Sequence, residues 1–114
     1  MSEVSEVAKL EAERLIAKEL IERRQMALKL TDNHEFRKLI IEGFCRTDAA
    51  RYVQESADPF LTAEQRADCL AMAQASGHFK RYIAIIIQMG APAERTLEDL
   101  DDALAEARAE EGSI

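Results

Sequence analysis

From Val4 to about Leu30 the apolar residues recur at helical spacing with no Gly or Pro between them, which predicts one long helix. Leu10, Ala17, Leu20, Ile21 and Leu28 share one broad face, and Glu11, Lys18, Glu22 and Lys29 form a narrow charged stripe on another. Leu15, Ile16, Met26 and Leu30 fall outside that first face. A helix that is apolar on more than one side packs against more than one neighbour, and some of those neighbours are expected to belong to another subunit.

Thr31-Asp32-Asn33 punctuates the chain, and Asp32 with Glu35 fits a capping-box-like start for a second helix carrying Phe36, Leu39, Ile40 and Phe44. Gly43 is expected to end or bend it, so that Thr47 or Asp48 caps a further piece running to about Ser56. Asp58-Pro59 is a firm stop, because proline disfavours a helical residue before it. Thr62 and Gln65 form a Thr-x-x-Gln capping box that opens the third long helix. The run Tyr82 to Ile87 is apolar all round and reads as helix, since no second comparable run exists for it to pair with as a strand. Gly90 is expected to supply a left-handed helix end, with Pro92 in the first turn of a last helix.

That last helix carries Ala93, Leu97, Leu100, Leu104 and Ala107 as a narrow seam of a/d type. Too short for a stand-alone coiled coil, such a seam suits a helix laid on a bundle or a neighbouring chain. Leu97, Leu100 and Leu104, with the small-residue surface of Ala67, Ala71 and Ala75, are therefore the candidate partner-docking positions. The segments 4–30, 34–43, 47–56, 62–89 and 92–110 define an all-α bundle of four to five helices, with a long N-terminal helix and an acidic C-terminal one. The whole chain, 1–114, is expected to be a single domain, frayed over about its last six residues.

Composition narrows the classes. With 47% hydrophobic and 32% charged residues, 4 Gly and 2 Pro, the 114-residue chain is neither disordered nor collagen-like, and it has few turns for an all-β fold. No apolar run approaches the length of a membrane span, and the acidic N-terminus lacks the basic start and apolar middle of a signal peptide. The net charge of −7 is concentrated after Gly90, where Arg95 and Arg108 face eight acids. Asp99, Asp101, Asp102 and Glu106 are a candidate acidic patch, either a solubilising face or a surface for a basic partner. Such acidity argues against strong direct binding to nucleic acid, which depends on Lys and Arg neutralising phosphates.

Candidate chemistry is sparse. His34, Cys45, Cys69 and His78 are too far apart in sequence for a short structural-zinc spacing. Cys45 and Cys69 read as small structural side chains in a reducing compartment. The serines lack a nucleophile-elbow setting, and the glycines at 43, 77, 90 and 112 form no phosphate-cradling loop. No catalytic residue, metal ligand or cofactor is assigned. Phe36 to Ser56, with the Gly43 break and Arg37, Lys38, Arg46 and Arg51, loosely matches a helix-turn-helix, such as small terminase subunits of tailed phages carry, but it holds the acids Glu42, Asp48 and Glu55 as well, so it has no clean basic face.

The stretch Glu35-Phe36-Arg37-Lys38-Leu39-Ile40-Ile41-Glu42-Gly43-Phe44, followed by Ala50-Arg51-Tyr52-Val53 and Ala57-Asp58-Pro59, is similar to a group of small helical proteins of tailed phages. Gly77-His78-Phe79-Lys80-Arg81-Tyr82 and Ile87-Gln88-Met89-Gly90, with Ala93-Glu94, resemble the same group's third helix and turn. The resemblance covers roughly residues 34–95 and transfers no catalytic or binding residue. It implies a non-enzymatic structural or assembly protein, resident in the virion or the host cytoplasm. Its partners would be copies of itself or capsid, connector or tail proteins. The alternatives are an acidic inhibitor occupying a nucleic-acid groove of a host enzyme, and a terminase-like DNA-binding protein.

Overall fold

The computed structural model describes residues 5–112, and among them every regular element is a helix. There are three long helices, not four or five. Helix α1 spans Glu6–Asp32. Its start is fixed by Ser5, whose hydroxyl accepts from the Ala8 N–H at 3.1 Å; Val4, where the sequence pattern begins, lies outside the described residues.

Helix α2 covers residues 34–55 without a break, as a turn of α-helix (His34–Phe36), a π-helical stretch (Arg37–Asp48) and a closing α-helix (Ala49–Glu55). Its N-cap is Asn33 rather than Asp32: the Asn33 side chain accepts from the Phe36 N–H at 2.9 Å. Nor does Gly43 break the helix. The backbone widens instead, and at its end the Ala49 N–H reaches back to the Phe44 carbonyl as well as to Arg46. In this wide turn a Cβ at position 43 would stand 3.1 Å from the Lys38 carbonyl oxygen, so glycine relieves a crowded spot without leaving the helix.

The expected stop at Asp58-Pro59 is present. The Asp58 carboxylate accepts from the Phe60 N–H, and the Arg66 guanidinium donates to the carbonyls of Leu61 and Asp58. The Thr62–Gln65 capping box is also formed in both directions: the Gln65 N–H donates to the Thr62 hydroxyl at 3.1 Å, and the Thr62 N–H to the Gln65 side chain at 3.0 Å.

Helix α3 then runs from Ala63–Gly112, 50 residues, through both Gly90 and Pro92. The break expected at 90–92 is absent, and no described glycine has a positive φ. Pro92 withholds one N–H from the Gln88 carbonyl, but both residues are exposed, so water reaches the freed group. Glycine is needed at 90 for a different reason. A Cβ there would collide with the Arg24 side chain and lie 2.8 Å from the Leu20 carbonyl oxygen, so Gly90 lets α1 approach α3 closely. The helix also outlasts the expected fray, continuing to Gly112 on a run of Ala and Glu.

The chain divides into two compact units. Among the described residues the first comprises 5–26 and 86–112, and the second 27–85. In the first, Ala17 of α1 and Ala93, Leu100, Leu104 and Ala107 of α3 are buried. The 4-3-4-3 seam read from the sequence is thus the core, with Leu97 half-buried in line. Two ion pairs flank it, Arg14–Asp101 at 2.6 Å and Arg108–Glu11 at 3.0 Å. The Arg24 guanidinium donates to the Ile87 carbonyl.

In the second unit, α2 runs antiparallel to the first half of α3. The Phe36 and Phe79 rings are 6.2 Å apart and tilted, the Cys45 thiol donates to the Ser76 carbonyl, and the Cys69 thiol donates to Glu55. Only Ala27 and Ser76 are buried there. Ser76 satisfies its hydroxyl on the Ala73 carbonyl at 2.7 Å.

Candidate functional site

The six candidate docking positions separate. Leu97, Leu100 and Leu104 are taken up by packing inside the first unit, Leu104 being 2% exposed, so they are core and not a free docking surface. The reason is that α1 supplies a matching seam through Leu10, Ala17 and Leu20, which the sequence had not tied to this one. Ala67, Ala71 and Ala75 are all exposed on α3.

The acidic candidates divide as well. Asp99, Asp102 and Glu106 are exposed and follow one another at steps of three and four, so they line one side of α3. Asp101 points the other way, to Arg14, and belongs to the packing of the first unit.

Large apolar side chains stand in solvent on every helix. Leu15, Ile16 and Met26 of α1 are among them, with no neighbour among the described residues covering the additional apolar side that the sequence pattern shows; Leu28, on the first broad face of that pattern, is exposed while its neighbour Ala27 is buried. In the first unit Ile16, Leu20, Met89 and Pro92 line an open apolar groove of about 310 Å³. In the second, Leu39, Val53, Leu70, Tyr82 and Ile85 are exposed, and Phe60 is 95% exposed.

Burial pushes the Cys45 thiol above its ordinary value, against a smaller opposing effect of Lys80. Desolvation, then the hydrogen bond to the Glu55 carboxylate, push Cys69 up too. Both thiols are free, and raised values disfavour the thiolate that nucleophilic chemistry needs. Glu55 also accepts from Arg51 at 3.0 Å, and the Arg51 guanidinium lies 4.6 Å from the centre of the Tyr52 ring. No set of three His, Cys, Asp or Glu side chains among the described residues is placed to hold a metal ion, and no described helix is long and apolar enough to cross a membrane.

A helix-turn-helix needs a turn, and residues 34–55 have none: the break on which that reading depends is replaced by the π-helical stretch. Three features went unread in the sequence: the close approach at Gly90, the Arg24–Ile87 bond and the Glu55–Cys69–Arg51 cluster. Each joins residues far enough apart in the chain, or in enough different turns, to leave no local pattern. No family model, characterised protein or solved structure matches this chain.

Proposed function

We propose that the chain is a non-enzymatic structural or assembly protein of a tailed phage particle, acting through helix faces that dock on copies of itself or on capsid, connector or tail components. It would reside in the virion, or in the host cytoplasm before assembly. The observation that carries the reading is the amount of uncovered surface. Large apolar side chains stand uncovered along the chain, among them Leu39, Val53 and Phe60. Exposed apolar faces on this scale mark protein–protein contact. The resemblance over residues 34–95 supports the same reading and supplies the phage context.

The test is quantitative mass spectrometry of purified particles. The chain is expected at a fixed copy number that matches the symmetry of one particle component. Its absence from particles, with assembly normal when it is deleted, would overturn the proposal.

The exposed line of Asp99, Asp102 and Glu106 favours one second reading, an acidic inhibitor that occupies a nucleic-acid groove of a host enzyme. Neutralising those three residues together would then abolish binding that is strongly salt-dependent beforehand. For the assembly role the same change leaves particle incorporation intact.

A further inference from the structure

We propose that residues 67–85 of α3 pair with the same segment of a second copy of the chain, antiparallel, about a two-fold axis beside Ala75 and His78. This rests on the assembly reading and names its first partner. Ala67, Ala71, Ala75, His78, Tyr82 and Ile85 are all exposed, and their steps of four and three put them on one side of the helix. No Asp, Glu, Lys or Arg lies among these six positions, so two chains of net charge −7 meet there without like charges in contact.

The face is graded, small side chains at its N-terminal end and large ones at its C-terminal end. Antiparallel pairing sets Ala71 against the partner's Tyr82, Ala75 against the partner's His78 and Ala67 against the partner's Ile85. Each large side chain then meets a small one, and each contact occurs twice, as a two-fold interface requires. Parallel pairing would set the tyrosines against each other and leave the alanines facing a gap.

Charge chooses the same direction. Glu64 and Asp68 flank only the small-residue end, and Arg81 flanks the other. Antiparallel pairing separates the acids of the two copies by most of the face, about 27 Å at 1.5 Å per residue. The second unit also has reason to seek cover, since no large apolar side chain in it is buried, and Leu70 widens the face at its edge.

Sedimentation and light scattering of the full chain from micromolar to millimolar concentration test the pairing. The wild-type chain is expected to become dimeric. Ala71→Glu and Tyr82→Lys are each expected to be monomeric, with the helical signal unchanged by circular dichroism. An equimolar mixture of the two is expected to recover a dimer, because the introduced charges then face each other once. A wild-type chain monomeric throughout, single variants that still dimerise, or a mixture that stays monomeric would each overturn the proposal. Recovery of the chain at fixed copy number in particles, with the wild type monomeric in solution, would sink the self-pairing and leave the assembly reading standing.

Discussion

The two units use similar helices to reach different interiors. The first closes a seam in which Leu100 and Leu104 fill the space left by Ala17, Ala93 and Ala107, and Gly90 lets the helices approach. Alternation of small and large side chains permits close packing. The second has aromatic, thiol and isoleucine side chains along its inner face, yet only Ala27 and Ser76 are buried. Its π-helical stretch holds a wider turn, so the apolar residues of α2 spread over a broader arc and none is enclosed. Both units leave apolar side chains in solvent, but only the first also encloses leucines.

The sharpest way to break this comparison is to truncate one apolar side chain in each unit. Leu104→Ala should cost about 3 kcal/mol, because the side chain is enclosed and its removal leaves a cavity. Ile83→Ala, from a half-buried site in the second unit, should cost about 1 kcal/mol. Urea denaturation of both variants checks the ranking, and equal costs would erase the distinction between the two interiors.

A pair of glycines sharpens it further. Gly90→Ala should destabilise by about 1–3 kcal/mol, since the added methyl meets the Leu20 carbonyl and the Arg24 side chain with little room to yield. Gly77→Ala meets nothing within 4 Å and should stabilise by about 0.5–1 kcal/mol through helix propensity alone. Thermal melts of the two variants are expected to move in opposite directions.

The smallest effect concerns the ion pairs beside the seam. Arg14 and Asp101 are 38% and 49% exposed, so Asp101→Asn should cost no more than about 0.5 kcal/mol, and the difference from wild type should vanish in molar salt. A larger, salt-independent loss would mean that the pair and not the seam holds the first unit together.

Much of this was legible in the residues. The Thr62–Gln65 box and the Asp58-Pro59 stop are carried within a turn or two of backbone, the 4-3-4-3 seam within one stretch of helix, and each is found as read. The signals at 43 and 90–92 are local too, but the helix continues through both. Glycine has several uses, and sequence alone does not separate a helix end from a wide turn or a close helix crossing. Pro92 reads as a boundary because it removes a hydrogen bond, and it is accommodated because that turn faces water.

The candidate surfaces follow the same division. Amphipathic spacing alone showed that α1 and α3 each have more apolar positions than one core face needs, since periodicity fixes which residues share a side of a helix. It could not say which side would be covered. Leu97, Leu100 and Leu104 went inside and Ala67, Ala71 and Ala75 stayed outside because α1 offers a matching seam to one set and the second unit offers none to the other. Asp101 left the acidic line for Arg14 on the same ground: a partner 87 positions away in the chain, brought near only when the helices pack.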